Sequence, residues 1–341
     1  MILVTGGTGL LGSHFLLEIT RSGKNVRALK RRNSNTDMIR KVFSYYVDDP
    51  DILLNRIEWV DGDLLDFASV EDALEGIDEV YHAGAVVSFY PKDHKAMLKV
   101  NIEGTANLIN LCLEKGIKKF CYVSSVATLG RADNNGSTDE ETHWQQNSKN
   151  SVYSISKYGA EREVWRGMEE GLNAVIVNPS VILGPGFWED NSGFFSLVWK
   201  GLRYYPRGIN GFVDVRDVAR AMVVVMEKNL FNQRFIVSAN NLSYQQVFTL
   251  IAKQLDKPAP SILVPPVLTH MAWRFEAVRS ALTGSVPEVT KEMANTSNQH
   301  FFYSNDKIRK TLGFEFLSLD ESIKETCGLF LQDHPYPLRV D

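Results

Sequence analysis

Thr5-Gly6-Gly7-Thr8-Gly9-Leu10-Leu11-Gly12 places glycines at Gly6, Gly9 and Gly12, with Gly7 in addition. The run follows the apolar stretch Ile2-Leu3-Val4 and opens a helical pattern of Leu10, Leu11, Phe15, Leu16 and Ile19. A strand, a glycine turn and a helix in that order make a phosphate cradle. One glycine permits the tight turn, one lets the backbone approach a pyrophosphate, and one lets helix and strand pack closely. The amides of the first helical turn and the helix dipole then hold the anion. A lone glycine pattern is weak, and here the strand before it and the helix after it supply the context. The chemistry expected is dinucleotide binding, with Gly6, Thr8, Gly9, Leu10, Leu11 and Gly12 as contacts.

The second strand should end beside the adenosine ribose, where an Asp or Glu would accept from the 2′-hydroxyl of NAD. This chain instead reads Val26-Arg27-Ala28-Leu29-Lys30-Arg31-Arg32-Asn33. Three adjacent cations suit a 2′-phosphate, because a guanidinium meets phosphate oxygens through two parallel hydrogen bonds. The expected cofactor is therefore NADP, held by Arg31 and Arg32, with NAD as the alternative. Asp63-Leu64 follows the third strand. A carboxylate there could accept from the adenine amino group or simply form a turn. Tyr153 and Lys157 stand at i and i+4, which puts a phenol and an ammonium on one helix face. That spacing is common by itself. It gains weight from Ser124-Ser125, hydroxyls just past a buried strand, at the edge where α/β sheets bind ligands.

The elements that would position these groups alternate. Strands are expected at residues 25–29, 57–60, 79–83, 119–124, 174–178 and 234–237, and helices over 98–114 and 215–226. Such alternation predicts a parallel sheet covered on both faces. The polar stretch 131–150 reads as a long loop, and residues 267–282 carry another helical pattern. The fold class is α/β, a Rossmann-type doubly wound parallel sheet with a smaller C-terminal substrate lobe. The dinucleotide domain takes residues 1–178, with returns at about 209–240 and 296–305. The lobe takes most of 179–208 and 241–341.

The chain has 341 residues, 44% hydrophobic and 23% charged, with a net charge of −4. No basic surface advertises a nucleic-acid partner. Cys112, Cys121 and Cys327 show neither disulfide nor metal-ligand spacing, and no metal site is expected. The glycine loop begins at Thr5, which leaves no room before it for a signal peptide. No apolar run reaches the ~18 residues of a membrane span. A cytoplasmic protein without membrane partner is expected, acting on a small-molecule substrate. Helices flanking such a sheet offer a pairing surface for a homodimer.

These pieces resemble an extended short-chain dehydrogenase/reductase, of the NAD-dependent epimerase/dehydratase superfamily. The resemblance rests on the Thr5–Gly12 loop, Asp63-Leu64, His82-Ala83-Gly84-Ala85, Val100-Asn101-Ile102-Glu103-Gly104-Thr105, Ser124-Ser125, Tyr153 with Lys157, and Asn178-Pro179-Ser180-Val181. Phe212 to Ala219, Leu282-Thr283-Gly284 and Leu312-Gly313-Phe314 extend it over nearly the whole chain. The strand Val26-Arg27-Ala28 ending in Arg31 is similar to the dihydroflavonol 4-reductase-like branch. The resemblance implies hydride transfer between NADP(H) and a carbonyl or alcohol. It adds Ala83, Gly84, Ala85, Asn101, Tyr153, Lys157, Pro179 and Val181 to the cofactor contacts. It makes Tyr153 the general acid or base, with its pKa of ~10 lowered by Lys157 and an oxidised nicotinamide. Lys157 also holds the nicotinamide ribose. Ser125 steadies the substrate oxygen. His82 is a structural residue beneath the cofactor. Two other functions fit the same fold: an NDP-sugar epimerase or dehydratase with tightly bound NAD, and a non-catalytic dinucleotide-binding protein. Phe187, Trp188, Phe194, Phe195, Trp199, Tyr204, Tyr205, Trp273 and Phe275 suggest an apolar substrate or fill the lobe's own core.

Overall fold

The computed structural model describes residues 1–131, 136–146, 150–188, 193–283 and 290–335. Residues 132–135 and 147–149 of the expected loop, and Gly284, lie outside them. The strands run in chain order as β1 (Ile2–Thr5), β2 (Val26–Lys30), β3 (Ile57–Asp61), β4 (Glu79–His82), β5 (Lys119–Val123) and β6 (Ala174–Pro179). They continue as β7 (Val181–Leu183), β8 (Tyr204–Tyr205), β9 (Ile209–Asp214), β10 (Gln233–Val237), β11 (Asn240–Ser243) and β12 (Ile262–Leu263).

Seven strands form one sheet in the order β10-β6-β5-β4-β1-β2-β3, all pairs parallel. This is the Rossmann-type sheet. The order reverses between β1 and β4, and that switch point opens a crevice at the carboxyl ends of the strands. Both faces are covered, so the period of two sorts side chains into two apolar layers rather than one apolar and one wet. On β1, Ile2 and Val4 pack with Phe15, Leu16, Val218 and Met222. Leu3, between them, packs on the other side with Leu108, Leu111, Ala160 and Val164. Cys121 and Val123 of β5 face the first layer, and Phe120 and Tyr122 the second. The helices Leu10–Arg21 and Val215–Glu227 therefore lie on one face, and Gly104–Glu114 and Val152–Glu169 on the other.

The remaining elements make a second layer system. β9 does not join the main sheet; it pairs with β7 and β11 in a three-stranded sheet. A third core joins Phe195, Phe212, Phe248, Ile251, Ile323 and Phe330. The helices Tyr244–Gln254 and Leu319–Asp333, which supply much of it, have no counterpart in the elements read from sequence. The helix expected from residue 98 begins at His94 and widens to a π turn over Lys99–Glu103. The buried Asn101 side chain in that turn is bonded to the Val86 backbone.

Candidate active site

The crevice is a cleft of about 920 Å³. Gly6, Thr8, Gly9, Leu10, Leu11 and Gly12 line it, with Arg31, Asp63, Leu64, Ala83, Gly84, Ala85, Ser125, Tyr153, Lys157, Pro179 and Val181. The sequence thus assembles almost all of its candidate residues in one place. Two stand apart. Arg32 lines an adjoining groove with Arg31, Asp61, Asp63 and Asp66. Asn101 is buried behind the wall, where its amide exchanges hydrogen bonds with the Val86 backbone at 2.8 and 2.9 Å and donates to Ser156 at 2.9 Å. It holds the Val86 segment in place and does not itself face the cleft.

The glycine loop suits a pyrophosphate on steric grounds. Gly6 has φ +76°, and a Cβ there would strike the Ala83 and Gly84 backbone. A Cβ on Gly12 would collide with the Gly6 carbonyl, so helix and loop close only with glycine. The helix that follows carries no acidic residue in its first turn and no side-chain cap, which leaves its amides open to an anion. At the ribose end the three cations divide. Lys30 is bound to Asp61 at 2.5 Å, whereas Arg31 and Arg32 are exposed at the groove. Lys30, helped by Arg32, holds the Asp61 carboxyl below its usual range. Asp63 accepts from the Leu65 amide at 2.9 Å, the turn-forming role of an Asp.

His82 lies fully buried beneath the loop. Its Nδ1 meets Thr5 Oγ1 at 2.6 Å and its Nε2 meets Thr105 Oγ1 at 3.0 Å. The Thr105 hydroxyl already donates to the Asn101 carbonyl, so it accepts from Nε2–H and leaves Nδ1 as an acceptor. Burial presses the imidazole down to about 3, with Lys157 adding to the effect. A neutral ring ties the loop to the Gly104–Glu114 helix.

Tyr153 sits in the first turn of the Val152–Glu169 helix. Ser151 caps that helix by accepting from the Ser154 amide at 3.0 Å, and Glu292 accepts from the Val152 amide at 2.9 Å. Burial raises the Tyr153 phenol above its usual pKa, and a hydrogen bond with Ser125 partly offsets this. In this dry setting the neutral phenol is favoured. The Ser125 hydroxyl accepts from the Ala127 amide at 3.1 Å and faces the Tyr153 phenol in the cleft. One turn along, Lys157 donates to the Val123 carbonyl at 2.7 Å, with its ammonium 4.5 Å from the Tyr122 ring centre. Burial lowers the Lys157 amine to about 7, against an opposing pull from Glu161.

Glu161 was not singled out from the sequence. It is buried, and its carboxylate accepts from Ser124 at 2.5 Å, Thr128 at 2.7 Å, Asn178 at 3.0 Å, Arg234 at 3.1 Å and Trp165 at 3.3 Å. The Thr128 backbone amide and the Asn178 side chain donate to the Ser125 carbonyl, each at 3.1 Å. One carboxylate thereby fixes the loop that presents Ser125. The signal was the repeat of Lys157 at i+4 and Glu161 at i+8 from Tyr153, a polar stripe along the inner face of one helix.

The far end of the cleft is aromatic. Phe89, Trp144, Phe187, Phe194, Phe301 and Tyr303 line it. Trp144 stacks on Tyr158 at 4.6 Å, and Thr138 bridges to Tyr303, so the described part of the 131–150 stretch is pinned against the body. Trp199 and Tyr205 pack on the third core, and Tyr204 and Phe275 are exposed.

Residues 2–237 match the family model described as the NAD dependent epimerase/dehydratase family. The chain belongs to that family. It is an NAD(P)-dependent enzyme of oxidoreductase type in the extended short-chain dehydrogenase/reductase superfamily. A Synechocystis sp. protein provisionally named dihydroflavonol 4-reductase is 29% identical over 98% of this chain and 95% of its own length. Cinnamoyl-CoA reductase 1 of Oryza sativa subsp. japonica is 26% identical over 99% of this chain and 92% of its own. Among solved structures, gox2253 superposes with a TM-score of 0.81 at 27% identity, covering 98% of each chain. Among the described residues no cluster fit for a metal ion occurs.

Proposed function

We propose that the protein is an NADP-dependent reductase or dehydrogenase that exchanges a hydride with a carbonyl or alcohol at Ser125, Tyr153 and Lys157. The observation that carries this reading is the convergence, beside the glycine cradle, of a Ser125-bonded phenol and a buried lysine amine of pKa about 7. The nicotinamide, when bound, supplies or accepts the hydride. Ser125 donates a hydrogen bond to the substrate oxygen, and the Ala127 amide, donating to the Ser125 hydroxyl, helps to orient it. Tyr153 gives its phenolic proton to that oxygen in reduction and takes it back in oxidation. Burial keeps the phenol protonated, the form that donates in reduction. Lys157 in its charged form stabilises the phenolate left behind. The 2′-phosphate falls to Arg31 and Arg32, with Lys30 neutralising Asp61 beside them.

The names of the relatives, several of them reductases, support the same reading. The aromatic lining supports an apolar or aromatic substrate, and the third core with the three-stranded sheet forms the lobe that receives it. The test is a titration with NADPH and NADH, followed by turnover with aromatic carbonyls. NADPH consumed mole for mole with alcohol formed supports the reading. NAD that co-purifies tightly, with NDP-sugar turnover and no net cofactor consumption, makes the protein an epimerase or dehydratase instead.

A further inference from the structure

The Pro266–Thr283 helix leaves Val267, Leu268, Met271 and Phe275 in solvent, Val267 at 69% and Phe275 at 70% exposure. Their spacing puts them on one stripe of the helix. β12, just before the helix, exposes Ile262 and Leu263 and pairs with β8, whose Tyr204 is also exposed. The patch is continuous through chain and strand pairing, unlike the single apolar side chains scattered over an ordinary surface. The helix is fastened in place, with Asn298 donating to Thr269 at 3.0 Å.

The charge around this patch is mainly positive. Residues 191–213 include Lys200, Arg203 and Arg207 and no Asp or Glu; residues 256–283 include Lys257, Arg274 and Arg279 against Asp256 and Glu276, and Glu276 is paired with Arg279 at 2.7 Å. The chain as a whole is acidic, at −4. Arg203 and Arg207 flank β8 and are exposed. An apolar helical stripe with a tyrosine at its margin and cations around it matches an anionic lipid surface. The apolar side chains enter the headgroup boundary while the guanidinium groups meet phosphates. A second copy fits less well, because a twofold contact through this face would set like charges against each other.

We propose that this face docks on the surface of an anionic lipid bilayer. Docking differs from spanning, and none of the described helices is long and apolar enough to cross a membrane. The docked face adjoins the cleft. Pro206 follows β8 and lines the cleft, as does Met293, which lies on the Lys291–Thr296 helix packed against the docking helix. The cleft's mouth would then open toward the bilayer. The inference stands independently of the reaction proposed above.

The test is co-sedimentation of the full chain with vesicles of phosphatidylcholine alone and of phosphatidylcholine mixed with phosphatidylglycerol. The expected result is binding to the mixed vesicles that weakens with salt. It should weaken about fivefold for each of Arg203→Gln and Arg207→Gln. It should vanish in a Met271→Ser, Phe275→Ser variant, whose exposed side chains can change without unfolding the protein. Failure to sediment with mixed vesicles overturns the proposal, as does binding that the double variant retains. Self-association without vesicles that the same double variant abolishes assigns the face to a second copy and also overturns it.

Discussion

Glu161→Gln keeps the volume of the side chain and removes its charge. The Oε2 oxygen accepts from Ser124, Thr128 and Asn178, and Oε1 accepts from Arg234 and Trp165. An amide offers one acceptor oxygen and must turn its NH2 toward the other set of donors. Three donors outweigh two, so the oxygen stays with Ser124, Thr128 and Asn178. The NH2 then faces Arg234, which loses its ion partner in a site where the guanidinium side chain is 15% exposed. Breaking one side of such a buried pair costs about 3–5 kcal/mol. Arg234 keeps the Glu140 carbonyl at 2.5 and 2.8 Å, so the lower end, about 3 kcal/mol, applies. The Ser125 carbonyl stays held by Thr128 and Asn178, and turnover should survive. Lys157 loses the negative charge that raises it, so its titration should move further below about 7. Urea unfolding measures the first effect, and the pH profile of kcat/KM for carbonyl reduction measures the second. The reasoning fails if stability stays within about 0.5 kcal/mol of wild type, as for an ordinary surface substitution. It fails equally if the pH limb does not move.

Three further outcomes are expected. Arg31→Ala with Arg32→Ala should raise the Kd for NADPH on the order of 10²–10⁴-fold, since each charge-assisted contact is worth about 1.5–3 kcal/mol. NADH affinity should change little, and equilibrium fluorescence titration of both cofactors checks this. Acid should destabilise the fold through His14 and His82, which burial holds at about 4 and about 3. Both stay neutral in the folded state, so their contribution is present above the unfolded value of ~6.5 and is lost as pH falls below it. From pH 7 to pH 5 each costs about 2 kcal/mol. Asp217 acts oppositely: burial raises it to about 6, and its protonation returns about 1 kcal/mol over the same interval. The net loss, about 2–3 kcal/mol, should show in urea midpoints at the two pH values. His82→Gln should flatten that dependence by about 2 kcal/mol.

The parts of this fold legible in the sequence were those with local periodicity. Buried parallel strands read as short apolar runs, and Leu10 to Ile19 announced its helix by spacing. The glycine loop was legible because sterics allow little else at Gly6 and Gly12. The tertiary use of polar residues was not. Lys30 looked like one of three equivalent cations until β3, paired beside β2, brought Asp61 to it. Asn101 looked like a cofactor contact, yet its side chain serves the Val86 backbone. Glu161 gathers donors from three segments far apart in the chain, and no window of sequence contains them. β9 had no counterpart among the strands read from sequence, and it pairs with β7 and β11 outside the main sheet.

The account turns on Tyr153 as the group that moves the proton. The most direct measurement is single-turnover reduction of an aromatic carbonyl by bound NADPH in wild type and Tyr153→Phe, with NADPH affinity measured on both. The variant should bind NADPH as wild type does, because the ring stays packed near Phe89 and only the hydroxyl is lost. Its rate should fall by about 10²–10⁴-fold, the usual contribution of a positioned acid. A variant that folds, binds NADPH and reduces the carbonyl at the wild-type rate would contradict the mechanism.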